Sequence, residues 1–320
     1  MSEKILIVGG DPNSINSEII YKTWVNLDKN VKKNIFLIAS YELILKQVKK
    51  LHLTNVFEKV HSLKSFNNSN KLKIIDIPLD FKNPFDVSLN SSSKYVIKCL
   101  NLAHKLASTK NVKGIINCPI NKILIKSTNM IGVTEFLAAK SNIKDQSEVM
   151  MIHNRKLSVV PLTTHINIKD VAKKIKLKMI VKKVLTLNKS YKKIFKKKPF
   201  IGVLGLNPHN SELVNSSEEI REIIPSINIL KKKGLNIRGP LVADTVFVDE
   251  YKRYDVIVGM YHDQVLSPFK TLFHFDGINI TLGLNYTRVS PDHGPASELI
   301  GKNKADFKSL FNCVKFISNL

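Results

Sequence analysis

Cysteine is scarce in this 320-residue chain, which has three: Cys99, Cys118 and Cys313. Their spacing matches no metal-ligand motif, and three thiols are too few for a disulfide framework, so a reduced compartment is expected. No run approaches the ~20 apolar residues that a membrane-spanning helix needs, and no membrane partner is expected. The opening Met1-Ser2-Glu3-Lys4-Ile5-Leu6-Ile7-Val8 runs straight into a strand without the layout of a signal peptide. A cytoplasmic protein is the expectation. The glycine-rich dinucleotide fingerprint is also missing. After the first strand comes Gly9-Gly10-Asp11-Pro12 and then Asn, Ser and Ile, a tight strand-to-helix turn and not GxGxxG. A nicotinamide cofactor would have to bind elsewhere than on an ordinary Rossmann turn.

Arginine is nearly as scarce. Of fifty basic residues only Arg155, Arg221, Arg238, Arg253 and Arg288 are arginine, although the net charge reaches +24. Readers of bases and phosphates favour the two-pronged guanidinium. The lysines are spread along the whole chain among many Asn and Ile, a bias typical of an AT-rich genome. The dense runs Lys173-Lys174, Lys182-Lys183 and Lys192 to Lys198 flank an expected helix whose Val171, Ile175, Met179, Val184 and Leu187 recur at helical spacing. They read as its solvated face, and no nucleic-acid partner is expected.

What the chain does have is alternation. Strand-like runs at Ile5–Val8, Asn34–Ala39, Lys73–Ile77, Gly114–Asn117, Val149–Ile152, Ser158–Leu162, Phe200–Leu204, Asp255–Gly259 and Ile278–Leu282 are separated by amphipathic stretches. Those stretches include Ser17–Leu27, Tyr41–Leu51, Ser91–Ser108 and Ser216–Lys232. This argues for α/β layering around a largely parallel sheet. The Asn/Ser/Lys-rich segment from Ser62 to Lys71 reads as an exposed loop. The chain is long enough for two lobes. The expected division puts residues 1–128 with 278–320 in one and 129–277 in the other.

Three of the apolar runs lead to a histidine. Ser158–Leu162 precedes Thr163-Thr164-His165, Ile201–Leu204 precedes Gly205-Leu206-Asn207-Pro208-His209, and Asp255–Gly259 precedes Met260-Tyr261-His262-Asp263-Gln264. Open α/β sheets place ligands at the carboxyl ends of their strands. Neutral imidazoles suit Zn²⁺, Co²⁺ and similar ions, and three of them leave positions open for a substrate. Asp263 and Asp244 are placed to orient the rings by accepting from their second nitrogens. Lys270 lies eight residues beyond His262, and Asn279 and Arg288 bracket the strand at 280–283. In so arginine-poor a chain, Arg288 points either to a planar donor for phosphate or carboxylate, or to a surface salt bridge.

With these residues in hand, the chain resembles the 4-hydroxythreonine-4-phosphate dehydrogenase family of vitamin B6 (pyridoxine) biosynthesis nearly from end to end. The markers are the Gly10-Asp11-Pro12 turn, Cys118-Pro119-Ile120-Asn121-Lys122, Thr134-Glu135-Phe136-Leu137-Ala138 and the three histidine segments. They continue through Gly239-Pro240-Leu241-Val242-Ala243-Asp244-Thr245, Asn279-Ile280-Thr281-Leu282-Gly283-Leu284 and Arg288 to Asp292-His293-Gly294. The resemblance implies an isocitrate/isopropylmalate dehydrogenase-like fold of two α/β/α lobes with a cleft between them. The first lobe would lie on the cofactor side and the second on the metal and dimer side. It also implies a homodimer with a shared active site.

The family's metal ligands match His165, His209 and His262. Its substrate-binding positions match Thr134, Lys270, Asn279 and Arg288, and Lys270, Asp244 and Asp263 are the catalytic candidates. Asp292, His293 and Gly294 match the loop that receives the adenosine end of NAD or NADP. The implied metal is divalent (Zn, Mg or Co). The implied substrate is a small phosphorylated hydroxy amino acid, 4-phosphooxy-L-threonine, oxidised to 2-amino-3-oxo-4-phosphooxybutanoate, which decarboxylates to 3-amino-2-oxopropyl phosphate.

The chain also departs from the family pattern. The family's Gly-His-Thr-Glu is Gly132-Val133-Thr134-Glu135, so a substrate-binding histidine is replaced by a side chain with no donor. The glycines beyond Gly-Asp-Pro have become Asn13-Ser14-Ile15-Asn16-Ser17-Glu18, and those beyond His209 have become Asn210-Ser211-Glu212-Leu213-Val214. An alternative therefore stands beside the first reading. It is a related dehydrogenase acting on 4-phosphothreonate or 4-phosphoerythronate, or a catalytically weakened relative.

Overall fold

A computed structural model describes residues 3–64, 70–109, 111–143, 147–274 and 276–320. Residues 65–69 of the expected Ser62–Lys71 loop fall outside the described residues. The backbone divides into two compact units, Met1–Ile143 with Leu284–Leu320, and Lys144–Gly283.

The first unit opens with five strands: β1 (Lys4–Val8), β2 (Ile35–Ala39), β3 (Phe57–Val60), β4 (Leu72–Asp76) and β5 (Val112–Asn117). They lie in the order β3-β4-β2-β1-β5, and every neighbouring pair is parallel. β2 is buried along its whole length and β1 at all but its first residue. Continuous Ile, Leu, Val and Phe runs are what strands covered on both faces require. Helix Leu89–Ala107 lays Val96, Cys99, Leu100, Ala103 and Ala107 into this core at helical spacing.

The second unit holds β6 (Val149–His153), β7 (Ser158–Pro161), β8 (Ile201–Leu204), β9 (Ile237–Leu241), β10 (Val256–Gly259) and β11 (Ile278–Leu282). Their order is β11-β6-β7-β10-β8-β9. β7, β10, β8 and β9 run parallel, and β6 runs antiparallel to both β7 and β11. The chain then returns to the first unit, where β12 (Thr287–Pro291) lies parallel beside β5.

Three strands are not evident from sequence periodicity. β3 is a short edge strand, Phe-Glu-Lys-Val, with only its ends buried. β9 carries Gly239-Pro240, residues that sheets tolerate mainly at edges, and it is an edge strand. β12 interrupts its apolar pattern with Arg288 and Ser290, both buried. Two helices also differ from expectation. The basic helix runs only over Leu177–Phe195, because Ile175 and Lys176 are extended and separate it from a four-residue turn at Val171–Lys174. Its buried stripe is Ile180, Val184, Leu187 and Tyr191. The amphipathic stretch at 216–232 begins as a π-turn over Glu219–Ile223 before α-helix Ile224–Lys232.

Candidate active site

β10 lies between β7 and β8, so the strands leading to His262, His165 and His209 are immediate parallel neighbours. A strand spacing of about 4.8 Å brings their three carboxyl ends within about 10 Å of one another. The β7–β10 pairing continues past the strands. Leu162 N donates to Gly259 O at 2.9 Å, and Thr163 N to Met260 O at 3.1 Å. The Thr163 hydroxyl also donates to Met260 O, at 2.7 Å. This carries the His165 loop alongside His262, with ring centroids 5.8 Å apart. Gly259 is needed at the end of β10 because a Cβ there would stand 2.5 Å from Val265 Cγ1, on the helix that follows.

That helix, His262–Phe273, begins at the histidine itself. His262 Nδ1 lies 2.6 Å from Asp263 Oδ1. An ionised carboxylate only accepts, so Nδ1 carries the proton and the Nε2 lone pair is left for a cation. Lys270 is two turns along the same helix, about 12 Å along its axis. Asn279, on β11, has a buried Oδ1 that accepts no hydrogen bond.

His209 is presented differently. Residues 209–213 all have positive φ, between 45° and 56°, with no glycine among them. A left-handed conformation costs about 1–2 kcal/mol per non-glycine residue, so this turn is strained. The turn is entered over a clamp. Glu219, fully buried, accepts from Leu206 N at 2.7 Å, from Asn207 N at 2.9 Å and from Asn207 Nδ2 at 2.9 Å. His209 itself is 67% exposed, with Nε2 3.6 Å from Asp244 Oδ2 and Nδ1 3.6 Å from Glu212 Oε1. Asp244 arrives from the end of β9, the strand next to β8.

One chain thus gathers His165 and His262 and turns His209 toward Asp244. Among the described residues, no group of three or more His, Cys, Asp or Glu side chains is placed to hold a metal ion. The donor chemistry of the paired imidazoles suits a divalent cation, but the third ligand is not supplied beside them. The loops following these residues expose apolar side chains, Ile166 and Ile168, Leu213 and Val214, and Val248.

The first unit holds the remaining candidates. Arg288 is 3% exposed, which excludes a surface salt bridge. Its Nε donates to Asn117 Oδ1 at 2.6 Å and its Nη1 to Thr134 Oγ1 at 3.4 Å. Burial pushes the guanidinium down to about 10. Val133, where the family resemblance leads one to expect histidine, packs against the apolar core of this unit. In the loop after β12, His293 Nδ1 lies 2.9 Å from Gly294 O. A carbonyl only accepts, so Nδ1 is the donor and the buried Nε2, which has no partner, is an acceptor.

This loop meets the turn after β1, where Ile15 N donates to Pro295 O at 3.3 Å. Asn16 closes that turn by donating to Gly9 O at 3.0 Å and Pro119 O at 2.8 Å. Gly10 is required there, with φ 76° and Asn16 Nδ2 2.5 Å from where a Cβ would be. Sequence reasoning passed over Asn16, Asn117 and Glu219. Asn117 has a usable signal, since it ends an apolar strand just before Cys118-Pro119. Glu219 has none, because a carboxylate in an amphipathic stretch reads as exposed.

A family model described as pyridoxal phosphate biosynthetic protein PdxA matches residues 31–317. A 4-hydroxythreonine-4-phosphate dehydrogenase from Aquifex aeolicus is 39% identical to this chain, covering 100% of it and 99% of the relative. A protein from Oceanobacillus iheyensis, named provisionally a D-threonate 4-phosphate dehydrogenase, is 33% identical over 98% of this chain and 97% of its own length. The crystal structure of 4-hydroxythreonine-4-phosphate dehydrogenase from Klebsiella pneumoniae superposes with a TM-score of 0.87 at 27% identity, covering 99% of this chain and 97% of that one. Isocitrate dehydrogenase from Methylococcus capsulatus shares the fold at a TM-score of 0.50 and 11% identity, over 99% and 85% of the two chains.

Proposed function

Given that the chain belongs to the PdxA family of pyridoxal phosphate biosynthetic proteins and is an oxidoreductase, we propose that it oxidises 4-phosphooxy-L-threonine with NAD or NADP in a divalent-metal-dependent reaction. The observation that carries this reading is the His165–His262 pair at the ends of adjacent parallel strands, with the Nδ1 of His262 held by Asp263. A homodimer completes the set. His165 and His262 of one chain take His209 from a second copy, whose exposed, left-handed turn and flanking Leu213 and Val214 project that ring outward. Such an arrangement is isologous, each copy giving and receiving one histidine.

The chain's own side chains bind and orient the substrate. Arg288, backed by Asn117 and Thr134, offers a buried cation to the phosphate or carboxylate, and Lys270 holds a second anionic group. The unpartnered Asn279 Oδ1 accepts from the substrate's ammonium or hydroxyl. In the first unit, His293 Nε2 accepts from an amine such as that of adenine, beside Asp292 and Gly294. When bound, the cation supplies stabilisation of the alkoxide and later of the enolate, and the oxidised nicotinamide supplies the hydride acceptor. The carbinol carbon passes hydride to the nicotinamide and its hydroxyl proton goes to solvent, leaving a ketone β to the carboxylate. The carboxylate departs as carbon dioxide, and the enolate left behind takes a proton from solvent. Fixed positioning keeps the reacting carbon near the nicotinamide.

The test is formation of reduced nicotinamide from 4-phosphooxy-L-threonine with and without chelator. Activity lost on chelation and in His209→Ala is the expected result, and a freshly metallated protein that binds this substrate yet reduces no cofactor sinks the reading.

Val133 favours a second reading with the same reaction and a different substrate, 4-phosphothreonate or 4-phosphoerythronate. An apolar side chain packed on the core gives up a donor worth roughly 1.5–3 kcal/mol to a charged group. Turnover of the two substrate types decides between the readings. If the first holds, Val133→His raises kcat/KM on 4-phosphooxy-L-threonine. If the second holds, it lowers turnover of the amine-free substrate.

A further inference from the structure

We propose that Gln264 is a positioning residue that fixes the His209 loop against the His262 loop, and so sets the geometry in which the histidines meet a cation. It stands in the first turn of helix His262–Phe273, two residues beyond His262. Its Oε1 accepts from Met260 N at 2.7 Å, and its Nε2 donates to Gly205 O at 2.8 Å. Those two partners fix the orientation of the amide, because a backbone N–H only donates and a carbonyl only accepts.

Met260 is two residues before His262, and Gly205 is four before His209. One side chain therefore spans the gap between the end of β10 and the end of β8. On its other side, Met260 O takes both the amide and the hydroxyl of Thr163, two residues before His165. The result is an unbroken hydrogen-bonded chain, Thr163 to Met260 to Gln264 to Gly205, through all three histidine loops. No other residue type of this size makes both contacts. Glutamate turns an oxygen toward Gly205 O, and leucine or methionine makes neither bond.

Outer groups that orient metal-bound imidazoles typically change metal affinity by about 10–100-fold when removed. The inference rests on the metal reading given above. In the dimer, the loop serving one site is joined by Gln264 to the loop serving the other, so a change at Gln264 reaches both sites.

The experiment titrates Co²⁺ alone into metal-free full-length protein, followed by its visible absorbance, beside thermal unfolding of the same samples. Gln264→Glu keeps the shape and one bond. Gln47→Glu is the control, cutting an equivalent amide that donates to Pro12 O at 2.8 Å and Pro84 O at 2.6 Å in the first unit. The expected result is Co²⁺ binding weakened about tenfold or more in Gln264→Glu and unchanged in Gln47→Glu, with kcat recovered at saturating Co²⁺. Gln264→Met, which adds no charge, gives the same loss if the first variant does not fold. Wild-type affinity in either Gln264 variant, or an equal loss in the control, overturns the inference. Failure of the wild-type protein itself to bind Co²⁺ removes the metal reading, and the inference falls with it.

Discussion

Replacing Arg288 by methionine separates its place in the fold from its proposed hold on the substrate, because the two effects differ. A guanidinium pushed from 12.5 to about 10 by burial carries a desolvation cost of about 3 kcal/mol in the folded protein. Methionine has similar length and removes that cost. It also removes the charge-assisted bond to Asn117 Oδ1, worth roughly 1.5–3 kcal/mol. The two nearly cancel, so the unliganded Arg288→Met protein should unfold within a few degrees of wild type. Substrate binding has no such compensation. Losing one charged donor to a phosphate or carboxylate should raise KM about ten- to a hundredfold. Inorganic phosphate should also stabilise wild type against heat and leave the variant unmoved, since only a protein that binds the anion gains from its presence. Steady-state kinetics and thermal unfolding read both quantities. A large fall in Tm with an unchanged KM would show that Arg288 holds the fold and not the substrate.

Two further perturbations test the second unit. Burial pushes His153, bonded to Ser158 Oγ and packed on Phe195, down from 6.5 to about 4. The unfolded chain therefore takes up this proton first. Stability from this group is complete above 6.5 and is lost between about 6.5 and about 4, roughly 3 kcal/mol in all. His153→Asn should flatten that limb in urea unfolding, and an identical pH dependence would refute the assignment. Glu219→Ala removes the single oxygen, Oε1, that accepts from the amides of both Leu206 and Asn207. Hydrogen exchange at those two amides should accelerate selectively, whereas unchanged protection means that the carboxylate does not hold the turn.

Buried parallel strands are legible in this sequence because they need apolar residues on both faces. Ile35–Ala39 and Val256–Gly259 could be little else. The same rule explains the histidines. Polar residues directly after such runs lie at the sheet's carboxyl edge, and β7, β10 and β8 turn out to be adjacent. Edge strands escape that rule, as β3 and β9 do, because only part of each is buried. Long-range polar contacts escape it too. Gln264 and Glu219 act on partners 59 and 13 residues away, and no local pattern distinguishes them from solvated side chains. Nor does periodicity show that residues 209–213 take a left-handed path, since the glycines that would announce it are missing.

Whether one cation is held by two chains can be decided by mixing two inactive proteins. His209→Ala and His262→Ala are unfolded together, refolded and assayed for reduced nicotinamide. With His209 donated across the interface, a mixed dimer contains one intact site and one doubly broken site, and random pairing restores about a quarter of wild-type activity. No recovery from a mixture that does form mixed dimers would place all three histidines in a single chain and contradict the shared site.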